Sequence, residues 1–220
     1  MDLGYRYLET DVVATTDGVL LTFHDRTLRR VTGEPGRVSR MTYAEVSRAR
    51  IGGTEPVATL EDVLGTWPHV RVNVDVKEAS AIAPMVEVIL RTNSLSRVCV
   101  ASFSDRRIAA VRRRLGPALC TSLGPPRVVL LRAAATHERV SLIAPRTTPC
   151  VQIPERVGRL RVLTPALIDL AHRNEQRVHV WTVNDSDDMH RLLDMGVDGI
   201  MTDALETLRD VLIARSSWEG

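Results

Sequence analysis

The sequence lacks the features that mark several functional classes. It has only three cysteines, Cys99, Cys120 and Cys150, far apart and with no CxxC pair. An odd, scattered set argues against a disulfide framework or a zinc site of the usual spacing, and fits buried thiols in a reducing compartment. An excess of charge is missing too: 29 basic against 27 acidic side chains leave a net +2. There is no strong field of one sign to attract nucleic acid or anionic lipid. The one basic cluster, Arg112, Arg113 and Arg114, sits in a helical pattern and reads as a solvated helix face. No apolar run is long enough to span a membrane, so stable membrane insertion is not expected. The opening "MDLGYRYLETD" has neither a basic n-region nor an apolar h-region, and the chain as written is expected in the cytoplasm.

What is present is enough for one sizeable core: 220 residues, 44% of them hydrophobic. With no linker composition and no solenoid repeat, residues 1–220 are expected to form a single domain. Short β-rich runs alternate with helical patterns. Tyr7 to Val12, Val70 to Lys77, Val98 to Phe103, Cys150 to Ile153, Val178 to Asn184 and Gly199 to Asp203 read as strands, with Leu119 to Leu123 a weaker one. The turn Asp17-Gly18 leads into an extended run ending at His24. "TYAE" from Thr42 and "TLED" from Thr59 are capping boxes, and Thr164-Pro165 opens a helix. This rhythm is that of an α/β protein with a parallel sheet, either an open doubly wound sheet or a (β/α)8 barrel.

The polar residues on the strands bear on that choice. In "VRVNVDVK", Val70, Val72, Val74 and Val76 face one way and Arg71, Asn73, Asp75 and Lys77 the other. A barrel would turn this polar set inward; an exposed edge strand with a solvated face is the plainer alternative. Glu9 and Asp11 share a face by the same period of two. His24 and Lys77 close their extended runs, and the C-terminal ends of strands are where parallel α/β folds place their chemistry. Three carboxylates, Glu9, Asp11 and Asp75, would repel one another without a cation between them, and all-oxygen ligation suits Mg2+ or Ca2+. His24 is then the natural proton-transfer group. Lys77 would hold an anionic oxygen. Together these groups suit displacement at a phosphate.

The stretch "YLETDVVATTDGVLLTFHDRTLRRVTGEPGRV", with "VATLEDVL", "VNVDVK", "VHVWTVND" and "GVDGIMTD", resembles the glycerophosphodiester phosphodiesterase family from about Gly4 to Trp218. The likeness is weaker over about residues 120 to 160. The resemblance implies a (β/α)8 barrel that hydrolyses glycerophosphodiesters to sn-glycerol 3-phosphate and an alcohol with a divalent cation, Mg2+ or Ca2+. By motif position Glu9, Asp11 and Asp75 are implied metal ligands. His24 is one of two implied catalytic histidines, Lys77 an implied catalytic, phosphate-side residue, and Trp181 an implied part of the pocket wall near the glycerol. Asp75 stands where the family more often has Glu.

One part of the family pattern is not found. The strand ending in His-Arg-Gly and the following Glu-Asn-Thr would precede "LGYRYLETD", so the chain resembles the family from its second strand onward. The first strand and helix, the second histidine and an arginine are expected to be missing. His69 precedes a strand, His172 and His190 fall on helices, His179 is placed at a strand start and His137 in the weaker region, so each reads as structural or surface-exposed. Three readings stay open: an enzyme whose start lies upstream, a shortened paralogue that binds metal and phosphodiester without turnover, and a product that does not fold stably. A second copy could cover the vacated edge as a homodimer. The chain as written is expected to turn over slowly.

Overall fold

The computed structural model describes residues 2–136 and 148–218. These form two compact units, one comprising Tyr7–Cys120 and the other Met1–Arg6 with Thr121–Gly220. The strands, in chain order, are β1 (Tyr7–Ala14), β2 (Leu20–Thr22), β3 (Arg50–Ile51), β4 (Glu55–Pro56), β5 (Arg71–Val76), β6 (Val98–Ala101), β7 (Cys120–Thr121), β8 (Cys150–Pro154), β9 (Arg156–Val157), β10 (Leu160–Arg161), β11 (Arg177–Trp181) and β12 (Gly199–Ile200).

In the first unit the sheet order is β2-β1-β5-β6-β7. β1 and β5 run parallel, with Glu9 opposite Asn73 and Asp11 opposite Asp75; β5 and β6 run parallel, with Asn73 opposite Cys99 and Asp75 opposite Ala101. This register has a physical cause. A slip of one residue would turn the valines of β5 out of the core and the charged set into it. Val70, Val72, Val74 and Val76 are all 2% exposed or less, packed with Leu60, Met85, Ile89 and Val111. Each such side chain stabilises the fold by roughly 1.5–3 kcal/mol relative to exposure. Since β5 lies between two parallel neighbours, the edge-strand alternative is excluded.

The run after Asp17-Gly18 is a hairpin arm. β2 pairs antiparallel with β1, and Gly18 at φ +82° supplies the left-handed turn residue. This fold-back brings His24 to the C-terminal end of β1, where the Phe23 N–H donates to the Asp11 carbonyl at 2.9 Å. Both capping boxes are present, at Thr42 with Glu45 and at Thr59 with Asp62. A second apolar cluster, including Leu21, Phe23, Leu28, Val38 and Val46, packs under the loop that carries His24.

In the second unit β11 lies between β12 and β8, with both pairs parallel. Its core contains Val151, Ile153, Leu167, Val178, Val180, Met189 and Leu192. The helix Pro165–Arg173 begins as expected: Thr164 accepts from the Leu167 N–H, and proline stands at the first turn. His179 is the middle residue of β11 rather than its first, because Arg177 already pairs with Cys150. His69 is exposed just before β5, and His172 and His190 lie on helices. His137 lies outside the described residues. Among the described residues no helix is long and apolar enough to cross a membrane.

Candidate active site

The site in the first unit is built on two adjacent strands and one loop. Period two on β1 and β5, with the observed register, sets Glu9 and Asn73 in one row and Asp11 and Asp75 in the next. Lys77 follows the last residue of β5, and its N–H reaches the Val12 carbonyl at 3.4 Å. The Lys77 ammonium lies 2.6 Å from Asp11 Oδ1 and 3.3 Å from Asp75 Oδ2. Burial opposes the Lys77 charge, but the hydrogen bond to Asp11 and the charges of both carboxylates outweigh it, holding its pKa above the usual lysine value.

Asp75 is 7% exposed, and burial raises its pKa above the usual carboxylate range even though Lys77 pulls the other way. Its Oδ1 is buried with no hydrogen-bond partner. An ionised oxygen in that condition is costly unless a cation or a proton meets it. Glu9 is pushed up to about 7, first by the protein atoms crowding it and then by the charges of Asp11 and Asp75. Such mutual repulsion is what a divalent cation relieves. The three carboxylates are not drawn into a cluster with oxygens within 4.8 Å of one another. Instead, Lys77 takes the cationic position between Asp11 and Asp75. Hard oxygen donors with an orphaned buried Oδ1 fit a hard divalent ion.

His24 stands at the mouth, with two-thirds of its side chain exposed. Its Nδ1 is 2.6 Å from Asp25 Oδ1. Arg30 donates Nε to Asp25 Oδ2 at 2.6 Å and Nη2 to Oδ1 at 3.1 Å. The Arg30 hydrogen bonds, then that of His24, hold Asp25 down to about 2. An ionised carboxylate only accepts, so His24 Nδ1 carries the proton and Nε2 is left to exchange one with a ligand. A cleft of about 450 Å3 is lined by His24, Asp25, Arg26, Thr27 and Lys77.

Beneath the site, Arg107 donates Nη1 to the Lys77 carbonyl at 2.7 Å and Nε to Ser102 Oγ at 2.8 Å, and Ser102 donates to the Val76 carbonyl at 2.8 Å. These groups fix the end of β5. Sequence reasoning did not single out Asp25, Arg30, Ser102 or Arg107. For Asp25 the signal was present, in the His-Asp pair itself. Trp181 is the half-buried last residue of β11 and belongs to the second unit.

The sequence pattern of the glycerophosphoryl diester phosphodiesterase family matches residues 1–207. The chain belongs to this family. It is 45% identical over 220 residues, 99% of this chain and 83% of the other, to the Mycobacterium tuberculosis protein named "Probable glycerophosphodiester phosphodiesterase 2". A solved structure from Silicibacter pomeroyi, assigned to the same family, superposes with a TM-score of 0.81 at 25% identity, covering 99% of this chain and 86% of that one. An Oleispira antarctica phosphodiesterase, solved with its product sn-glycerol-3-phosphate, superposes with a TM-score of 0.77 at 18% identity, covering 96% of this chain and 87% of that one. The fold is therefore of the TIM-barrel-type α/β class of these enzymes. Enzymes of the family generally depend on a divalent metal.

Proposed function

We propose that this chain hydrolyses glycerophosphodiesters to sn-glycerol 3-phosphate and an alcohol. The observation that carries the reading is the partnerless buried Oδ1 of Asp75, set beside Asp11 and Lys77 at the strand ends next to the His24 cleft. Glu9, Asp11 and Asp75 would hold the cation, and their all-oxygen character favours Mg2+ or Ca2+. When bound, the ion supplies charge that offsets the developing negative charge at phosphorus.

The chain's own residues then divide the work. Asp11 and Asp75 hold the Lys77 ammonium at the strand ends, from where it would reach a non-bridging phosphate oxygen. His24 Nε2 moves the proton, taking it from the attacking hydroxyl or giving it to the leaving oxygen, while Asp25 and Arg30 hold the ring. Trp181, by its motif position, forms a wall for the glycerol. The family pattern includes residues of both compact units, which supports residues 1–220 working as one domain. Three unpaired cysteines without a CxxC motif support a reducing, cytoplasmic setting.

The deciding experiment is an enzyme-coupled assay for glycerol 3-phosphate on glycerophosphocholine, with EDTA, Mg2+ or Ca2+ present. Turnover that appears only with a divalent cation and disappears in Asp75→Asn supports the reading. Turnover undiminished in EDTA would remove the role given to the carboxylates.

A further inference from the structure

The hairpin of β9 and β10, in the second unit, takes no part in the reaction above. A two-residue turn, Gly158-Arg159, joins its arms, with Gly158 at φ +57°. Leu160 lies opposite Val157, and Arg161 opposite Arg156. Opposed residues of an antiparallel pair share a face, and the next pair takes the other face. One face therefore carries Val157 and Leu160, the other Arg156 and Arg161, with Arg159 in the turn. The root is fixed: Val162 and Leu163 donate their N–H groups to the Glu155 carbonyl at 2.9 and 3.2 Å, and Leu163 is fully buried. The tip is open to water: Val157 is 61% and Leu160 65% exposed, and the three arginines are exposed as well. The neighbouring acid, Glu155, is taken by Arg191 at 2.8 Å, and among the described residues none of the three arginines is in an ion pair.

We propose that this hairpin is a docking surface for an anionic lipid bilayer, which it touches reversibly without crossing. Two features select that occupant. Like charges directly opposite one another destabilise a strand pair, so Arg156 and Arg161 gain from an anion beside them. Val157 and Leu160 gain from leaving water for an acyl boundary, which a soluble polyanion does not offer. Elements that lie at a membrane interface combine both properties, basic side chains for the headgroups and an aliphatic edge for the hydrocarbon. Entering tip first, the hairpin brings both faces to the interface, and the long arginines bend back to the headgroups. The net charge of +2 makes no field over the whole chain, but half of the residues from 156 to 161 are arginine. β9 follows β8 after a single residue, and Pro154 at the end of β8 is opposite Trp181. The end of the second unit that carries Trp181 is thus the end that meets the lipid.

The test is co-sedimentation of the full chain with extruded vesicles of phosphatidylcholine, alone or mixed with phosphatidylglycerol. The parent should bind the mixed vesicles, and added salt should weaken binding because it screens the arginines. Arg156→Gln, Arg159→Gln and Arg161→Gln should each weaken it about fivefold, and all three together about 100-fold. Val157→Ser with Leu160→Ser should weaken it at least about tenfold at unchanged charge. Arg156→Lys, Arg159→Lys and Arg161→Lys together keep the charge and should keep most of the binding. As a control, Arg112→Gln, Arg113→Gln and Arg114→Gln together lower the net charge equally and should have little effect. Thermal unfolding checks that the variants fold. No binding of the parent to the mixed vesicles overturns the proposal. So does an equal loss in the control, which would make net charge the cause. Undiminished vesicle binding in the Val157, Leu160 variant, or binding of the parent to a short DNA duplex that the vesicles do not displace, would make the hairpin a polyanion site and overturns it too. The outcome does not depend on phosphodiesterase activity.

Discussion

Lys77 Nζ lies 2.6 Å from Asp11 Oδ1, across the parallel pairing of β1 with β5. The ammonium also meets Asp75 at 3.3 Å, so it balances two acids that would otherwise repel each other. A divalent cation held by these acids, as proposed, would compete with it directly. Lys77→Met should therefore bind Mg2+ or Ca2+ at least as tightly as the parent chain. Its kcat should fall by about 10²–10³-fold, the usual loss for a donor that holds developing charge. Its stability without metal should fall, because Asp75 stays buried with less compensation, and added cation should restore it. Calorimetry, the coupled assay and thermal unfolding read the three effects. Loss of cation binding in this variant would show that Lys77 does not compete at the metal site.

Asp75→Asn should weaken divalent-cation binding by at least about tenfold, because it removes a charged hard ligand. Asp105 opens the helix Asp105–Leu115, and Asp169 is exposed on the helix Pro165–Arg173. Asn at either should change binding little, since Asp169 is exposed and Asp105 partly so, and such charges are screened by water and salt. Titration calorimetry with Mg2+ and Ca2+ compares them; equal losses at all three would rule out the ligand set.

Much of this site could be read from local spacing. Alternation in "VRVNVDVK" places Asp75 and Lys77 on one face, and the structure keeps every valine of that run buried. The contacts that could not be read join distant residues. Lys77 meets Asp11 only because β1 and β5 pair in one particular register, and Arg107 reaches Lys77 from 30 positions away. Arg30 folds back on Asp25 through a four-residue helix too short to show a period. The arm before His24 was legible as extended, but its antiparallel return on β1 comes from hydrogen bonds made after the turn.

Asp25→Asn should lower kcat by roughly 10–10²-fold with little change in KM, a smaller loss than removing His24 itself. The amide no longer requires a proton on His24 Nδ1, and its pairing with Arg30 is weaker. The coupled assay with parent and variant decides this. An unchanged kcat would mean that the His24 ring needs no such anchor.

In the second unit, Asp198 accepts from the Val178 N–H, Arg177 and His172, each at 2.8 Å. Burial alone would raise its pKa, but these donors lower it below the usual value. A depressed carboxylate stabilises the fold above its unfolded pKa of about 3.9, and that contribution is lost as pH falls through the folded value. Asp198→Asn should cost about 1 kcal/mol at pH 7, a modest figure because water screens the pairs. The gap between parent and variant should narrow below about pH 4, since the parent then loses its charge as well. Urea unfolding at pH 7 and pH 3 measures both. A gap that widens in acid would contradict the sign.

Arg107 tests whether the end of β5 must be held still for catalysis. Its guanidinium donates to the Lys77 carbonyl and Ser102, and Ser102 donates to the Val76 carbonyl, so two consecutive carbonyls after Asp75 are tied to the residue after β6 and to the helix Asp105–Leu115. The cationic charge also favours the ionised form of Asp75. Arg107→Met removes both effects. It should weaken cation binding and lower kcat/KM by about 10–10²-fold, the range for a group that orients ligands without touching substrate. Stability should fall too, by about 1–3 kcal/mol for carbonyls left without donors. Ser102→Ala breaks the tie to Val76 but keeps the charge, so it should lose stability with a smaller change in cation affinity. Arg107→Lys keeps the charge but not the fork, and should recover part of the affinity and less of the stability. If Arg107→Met destabilises the chain while cation affinity and kcat/KM stay at parent levels, Arg107 only supports the fold and does not position Asp75 and Lys77.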